Sequence, residues 1–218
     1  MPIDFEEIVD RIRMRLKGPL PGPQAHESLR ATPVGAIKPK FEHKGPPKPG
    51  SVLILLYPDE GHVKFPLTKR PEYLGAHSGQ VSLPGGKAEA NETIEQTALR
   101  EGEEEIGIHP GSVEVIGRLS EFFVIPSNFI VTPVIAFQRT KPLFIPDPVE
   151  VVKILEGNIE EVIKEDAVAV KEIVAARIYP ILAPHFLIDN EIVWGATAMM
   201  LNEFRMVFRE TFPEWTPK

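Results

Sequence analysis

The sequence predicts an α+β or α/β sandwich with a mixed β-sheet. Three observations predict it. Strand-like apolar runs at 51–57 and 62–70 flank a tight Asp59-Glu60-Gly61 turn. Residues 92–106 have a helical composition and stand mid-chain. More strand-like runs follow at 113–119 and 129–138, and the chain closes on a helical pattern at 195–210. Strands before, beside and after a central helix, joined by short links, favour a mixed sheet over a doubly wound one.

The elements follow in order. Residues 4–17 read as an amphipathic helix, with Ile8, Ile12 and Leu16 recurring every fourth position and Asp4 and Glu7 at capping-box spacing. Residues 18–50 carry Gly-Pro-Leu-Pro-Gly-Pro and Lys-Gly-Pro-Pro-Lys-Pro-Gly, too much proline for a sheet interior. They form an irregular arm that wraps the domain or pairs with another subunit, or else a plain linker. Residues 71–91 read as one long loop. After the helix come a loop at Ile125-Pro126-Ser127, a loop at 142–148, a strand at 149–155 and a helical turn at 159–164. One or two strands at 172–188 are broken at Pro180 and Pro184. Asp189-Asn190 reads as a hairpin turn into 191–194.

Composition narrows the function classes. The 218 residues suit one large domain with a decorated terminus, divided as 1–50 (helix and arm) and 51–218 (the main domain). With no cysteine, disulfides and thiolate metal sites are excluded, and a cytoplasmic location is the expectation. The first residues lack a signal-peptide layout, and no apolar run approaches membrane-spanning length, so no membrane partner is expected. A net charge of −7 disfavours general binding to nucleic acid, whose phosphates need Lys and Arg. An anionic small molecule remains possible through a local basic patch or metal ions.

The central helix carries the chemistry. At 100° per residue, Glu105 lies ~40° from Glu101 on one side and Glu104 ~60° on the other, while Glu103 points ~200° away into solvent. Like charges at i,i+4 destabilise a helix, and acids near its C-terminus oppose the macrodipole. A divalent cation removes both penalties. Oxygen-only donors select a hard ion, Mg²⁺ or Mn²⁺. The plainer reading is a wet acidic face. Against it stand Ala98 and Gly102, a smooth stripe suited to close sheet packing, and Gly107, a C-cap.

The run Gly-x5-Glu-x7-Arg-Glu-U-x-Glu-Glu-x-Gly-U resembles the signature of the Nudix hydrolases. Gly86, Glu92, Arg100, Glu101, Glu104, Glu105, Gly107 and Ile108 match it, and Gly102 departs from it at the first apolar position. Its fixed residues would coincide by chance roughly once in 10⁸ starting points at typical frequencies. The resemblance implies the Nudix fold, an α/β/α sandwich (α+β) with the mixed β-sheet between helices, and pyrophosphate hydrolysis. It makes Glu101, Glu104 and Glu105 metal ligands, with a backbone carbonyl of Gly85 or Gly86 as a further donor. Glu92 and Arg100 become catalytic residues that orient the carboxylates.

The stretch 67–86 resembles the additional motif of the coenzyme A pyrophosphatase branch. Leu67, Thr68, Arg70, Gly79, Pro84, Gly85 and Gly86 match; Pro66, Pro71, Gly75 and Leu83 do not, and Gly75 replaces an arginine suited to phosphate. Segments at 129–135, 147–151 and 192–198 also resemble that branch, whose members split coenzyme A into 3′,5′-ADP and 4′-phosphopantetheine. Candidate substrate-binding residues are Lys69, Arg70, His77, Gly85 and Gly86.

Each reading has a plainer counterpart. Lys69 and Arg70 clamp phosphate or simply end a strand in solvent. His77 donates to phosphate, acts as a base or only braces its loop. Glu150 is an extra ligand or base, or a solvated strand start. Trp194 is core or an adenine platform. The expected activity is metal-dependent hydrolysis of a coenzyme A-like substrate, with a homodimer possible. The alternatives are action on ADP-ribose, another nucleoside diphosphate derivative or a dNTP, and a non-catalytic binding module of the same fold.

Overall fold

The computed structural model describes residues 4–35, 40–72, 79–175 and 178–215. In chain order the elements are α1 (Phe5–Arg15), α2 (Pro23–Glu27), β1 (Thr32–Pro33), β2 (Lys48–Asp59), β3 (His62–Lys69), β4 (Val81–Ser82), β5 (Gly85–Lys87) and α3 (Ile94–Ile106). Then follow β6 (Glu114–Arg118), β7 (Phe122–Val124), β8 (Phe129–Phe137), β9 (Lys153–Asn158), α4 (Ile159–Val162), β10 (Val168–Ala175), β11 (Tyr179–Ile188), β12 (Glu191–Trp194) and α5 (Gly195–Thr211).

The larger sheet runs β4-β3-β2-β8-β6, with β5 on β2, β7 on β8 and β9 on β3. It is mixed, because β2 and β8 pair in parallel, Lys48–Leu56 against Phe129–Phe137, while its other pairs are antiparallel. Side-chain alternation splits these two central strands into two faces. Leu53, Leu55, Val134 and Ala136 pack on Ala98 and Ile106 of α3. Ile54, Leu56, Ile135 and Phe137 join Ile8, Val9 and Ile12 of α1 and Leu201, Phe204, Val207 and Phe208 of α5. A sheet with helices on both faces is the predicted sandwich.

The two hairpin turns form as their sequences require. Glu60 and Gly61 both have positive φ, 51° and 81°, and link β2 to β3. Asp189 and Asn190, at 51° and 63°, link β11 to β12. Paired left-handed residues make the turn that matches strand twist.

Several expectations need correction. Asp4 sits at the N-cap of α1, but its side chain makes no capping bond; Glu7 instead pairs with Arg11 one turn on, at 3.7 Å. The 18–50 arm is partly regular. Residues 22–34 wrap the domain: Gly22 N–H donates to Glu203 (3.0 Å), Asn202 to the Ala25 carbonyl (2.8 Å), and β1 pairs with β11. β2 begins inside the arm at Lys48 and includes Pro49, whose carbonyl still accepts from Ala88 N–H (3.0 Å). The 71–91 loop contains β4 and β5. The strand expected at 149–155 starts only at Lys153, and β7 was not foreseen.

Pro180 and Pro184 do not break β11. The Pro180 carbonyl accepts from Val34 N–H (2.9 Å), so Pro180, and Pro184 four residues on, face the β1 side of the strand. β1 covers only Leu182 and Ile181 there, so neither proline deprives the long β10 ladder on the other side of a donor.

Candidate metal centre and active site

Local sequence fixes the helix that carries the carboxylates. Thr93 caps α3: its hydroxyl accepts from Gln96 N–H (3.2 Å), and the Gln96 side chain accepts from Thr93 N–H (2.8 Å). Gly107 ends the helix in the left-handed region, φ 71°, with its N–H on the Glu103 carbonyl. Ala98 and Gly102 let α3 lie close to β2. A Cβ on Gly102 would come within 2.8 Å of Ile108 and 2.9 Å of Leu53. The small residue at this apolar position of the signature is therefore matched by its neighbours.

Arg100 organises the polar face of α3. Its Nε donates to Glu92 (2.7 Å), its Nη1 to Glu101 and Glu104 (both 2.9 Å), and its Nη2 to the Lys87 carbonyl (3.0 Å). Glu92 also accepts from Thr97 and from Glu89 N–H, both at 2.9 Å. The Arg100 hydrogen bond, foremost among these, holds the Glu92 carboxyl down at about 2. Glu92 thus fixes Arg100 through two hydrogen bonds, and Arg100 orients two of the three expected ligands.

The three expected ligands differ in setting. Glu104 is exposed and Glu101 mostly covered, while the Glu105 side chain is only 3% exposed. The Glu105 carboxylate accepts from Arg70 Nη2 (3.2 Å) and Gly85 N–H (3.3 Å). Burial pushes its pKa up to about 7, and the charges of Glu101 and Glu150 add to this against the opposing pull of Arg70. Burial also raises Glu101, Arg100 opposing, with Glu104 and Glu150 adding. Burial first, and like charges second, thus disfavour the ionised forms of both carboxylates, and a bound cation would favour them.

The glycines of the preceding loop are steric requirements. A Cβ on Gly86 would lie 2.5 Å from both Glu101 carboxylate oxygens. A Cβ on Gly85 would strike the backbone of Ser51 and Val52 in β2. The fixed spacing from Gly86 to Glu101 is thus a direct contact between loop and helix.

Glu101, Glu104, Glu105, Asp147 and Glu150 line a cavity of about 40 Å³. A wider, open groove of about 460 Å³ adjoins it through Glu101, lined also by Lys87, Ala88, Glu89, Ala90 and Arg100. Five carboxylates around a small space are a donor set for a hard divalent ion. Among the described residues no set of three or more such side chains is already gathered tightly enough to hold a metal; two of the carboxylates are drawn to Arg100 instead.

Lys69 and Arg70 are separated. Leu67 faces the α1/α5 core, and alternation puts Lys69 on that face too, where it pairs with Glu191 (2.6 Å). Arg70 reaches the opposite face and Glu105. Only Arg70 contacts a cavity-lining residue, Glu105, so the two cations do not form a joint clamp. His77 and Gly75 lie outside the described residues. Trp194 is half-buried at the end of β12. Glu150 lines the cavity, and Asp147, which sequence reasoning did not single out as a site residue, lines it too. The only available signal was its place in the 147–151 segment.

The NUDIX domain family profile matches residues 47–184. Nudix hydrolase 15, mitochondrial, of Arabidopsis thaliana is 44% identical over 124 residues, covering 55% of this chain and 43% of that protein. Peroxisomal coenzyme A diphosphatase NUDT7 of Mus musculus is 37% identical over 114 residues, covering 52% of this chain and 46% of that one. The chain spans less than half the length of these curated relatives. A solved Nudix hydrolase from M. smegmatis aligns at 22% identity over 54% of this chain and 74% of its own, with a TM-score of 0.47.

Proposed function

The chain belongs to the Nudix hydrolase family, and on that premise we propose that it hydrolyses the diphosphate bond of coenzyme A or its derivatives, giving 3′,5′-ADP and 4′-phosphopantetheine. The observation that carries the hydrolase reading is the carboxylate cavity. All three helix glutamates face it, and burial, with smaller contributions from neighbouring carboxylates, disfavours the charged forms of Glu101 and Glu105 where no cation is bound. The coenzyme A reading is supported by the matches from Leu67 to Gly86 and by the name of the murine relative. Residues 51–218 are the hydrolase domain in this reading and 1–50 its N-terminal cover.

Glu101, Glu104 and Glu105 would hold Mg²⁺ or Mn²⁺. When bound, the ion would lower the pKa of a water and neutralise the diphosphate. Water adds at one phosphorus, the bridging P–O bond breaks, and the leaving phosphate keeps the bridging oxygen. The protein's own groups supply the rest. Arg70 offers positive charge to a substrate phosphate. Arg100, fixed by Glu92, holds Glu101 and Glu104 in place. Glu150 forms no ion pair among the described residues and faces the same cavity, placed to take a proton from the attacking water.

A small-molecule partner fits an acidic chain better than nucleic acid does. No helix among the described residues is long and apolar enough to cross a membrane. The cysteine-free composition suits the cytoplasm, and a homodimer is compatible with the reading.

The test is incubation with Mg²⁺ and coenzyme A, ADP-ribose and a dNTP, with products identified. Release of 3′,5′-ADP from coenzyme A is expected. Turnover of ADP-ribose without coenzyme A cleavage replaces the substrate. No turnover of any compound leaves a binding module.

A further inference from the structure

We propose that Asp147 is a positioning residue that fixes Glu150 over the carboxylate cavity and ties it to the last turn of α3. The proposal rests on the hydrolase reading above and deepens it.

After β8 the chain crosses the C-terminal end of α3, where helix carbonyls lack intrahelical donors. Two of them are met by this segment: Ile145 N–H donates to the Ile106 carbonyl (2.9 Å) and Asp147 N–H to the Glu105 carbonyl (3.0 Å). Gly107 permits the close approach, since a Cβ there would lie 2.8 Å from Ile145. The backbone of Asp147 is therefore registered on the residue that carries the most buried carboxylate of the site.

From that anchor Asp147 builds a single turn. Its carboxylate oxygen Oδ1 accepts from Val149 N–H (2.7 Å) and Glu150 N–H (3.0 Å). Its carbonyl accepts from Val151 N–H (2.9 Å), and Val152 N–H closes the segment on the Lys69 carbonyl (2.9 Å), next to Arg70. Pro146 and Pro148 have fixed φ and lack N–H groups. Glu150 thus rides on a turn pinned to Glu105 at one end and beside Arg70 at the other.

Packing contributes little to holding this turn. Val151 is its buried side chain, whereas Val149 and Val152 are 77% and 64% exposed. Hydrogen bonds hold it instead: backbone bonds at its two ends, and between them the Asp147 carboxylate oxygen, which alone fixes the N–H groups of Val149 and Glu150. Asp147 also lines the cavity, so a direct ligand role is the rival. The two roles differ in what asparagine can replace. Asn keeps the Oδ1 acceptor for the two N–H groups but loses the charge a metal ligand needs.

The experiment compares Asp147→Ala, Asp147→Asn, Glu150→Gln and the Asp147→Ala/Glu150→Gln double variant on coenzyme A with Mg²⁺. Asp147→Ala should lower kcat about 10- to 100-fold, as expected for a misplaced group. KM and the Mg²⁺ concentration for half-activation should stay within about 3-fold, and Asp147→Asn should recover most of kcat. In the Glu150→Gln background the alanine change should cost under about 3-fold, because its effect passes through Glu150. The proposal is overturned if Asp147→Asn is as impaired as Asp147→Ala with a higher Mg²⁺ requirement, or if Glu150→Gln is fully active. Absence of wild-type turnover would sink the functional reading instead. Amide exchange, which needs no activity, then decides this one. Asp147→Ala but not Asp147→Asn must speed exchange at Glu150 N–H with α3 protection unchanged; equal protection in both variants overturns it.

Discussion

The two faces of the central sheet use the same strands for opposite ends. Towards α1 and α5, β2 and β8 present Ile54, Leu56, Ile135 and Phe137 to a large apolar cluster that includes Phe204, Phe208 and Phe212. Towards α3 they present Leu53, Leu55, Val134 and Ala136 to a small cluster in which α3 supplies Ala98 and Ile106 as its buried side chains, with Ile94 and Leu99 partly buried against it. The thin face has little apolar surface to bury, and α3 carries a mid-helix glycine and an acidic outer side. The difference teaches that one face stabilises the sheet so that the other can hold a costly charge cluster.

The largest expected effects separate the faces directly. If the proposed metal site is right, Glu101→Gln or Glu105→Gln should lower kcat on coenzyme A by about 10²–10³ or more by removing a proposed metal donor, while the melting temperature in EDTA does not fall. Phe208→Ala should do the reverse, losing about 3–5 kcal/mol of stability with kcat of the folded protein within 2-fold. Urea unfolding and steady-state rates check both. A thin-face variant that unfolds the protein, or a thick-face one that alters kcat, breaks the comparison.

Next in size is Gly86→Ala. The added methyl meets the Glu101 carboxylate at 2.5 Å, so that side chain must move. A loss of about 10- to 100-fold in kcat is expected, with a small change in melting temperature.

The faces should also tilt in opposite directions with pH. Glu105 is raised from 4.5 to about 7, so the folded state holds its proton more tightly than the unfolded chain does. The resulting stability is full below pH 4.5 and is lost as pH rises through 7, by about 1–3 kcal/mol without metal. Saturating Mg²⁺ should flatten that slope. On the thick face burial alone would raise Glu203, but hydrogen bonds from His26 and Ser120 hold it below its ordinary value. Its contribution is present above pH 4.5 and is lost as pH falls. Urea midpoints from pH 4 to 8 in EDTA and in Mg²⁺, with Glu105→Gln removing the neutral tilt, test this.

The smallest effect is Thr93→Ala. It removes the hydroxyl half of the α3 capping box and should cost about 1 kcal/mol, read as a shifted urea midpoint with kcat nearly unchanged.

Legibility in the sequence followed how local the physics was. The Glu60-Gly61 and Asp189-Asn190 turns depend on residues that tolerate positive φ, and both were readable. So was α3, whose signature encodes direct contacts such as Gly86 on Glu101 and Arg100 on Glu92. Features set by distant partners were not. Pro180 and Pro184 look like breakers until β1 is seen covering only two residues of β11. Adjacent Lys69 and Arg70 look like one clamp until the pleat sends them to opposite faces. The late start of β9 reflects the Asp147 turn, whose hydrogen bonds compete with strand pairing, and nothing in local composition marks Asp147 as the residue that makes it.

The parallel ladder between β2 and β8 has a consequence for assembly in time. Its strands are roughly 80 residues apart in the chain, and all of α3 lies between them. Closing so long a loop delays the reward of forming it. A chain emerging from the ribosome would carry every residue of the Gly86–Ile108 signature before the strand that seats the helix had been made. Until β8 arrives, α3 is a charged helix on an unfinished sheet, and the centre is completed only when the ladder closes.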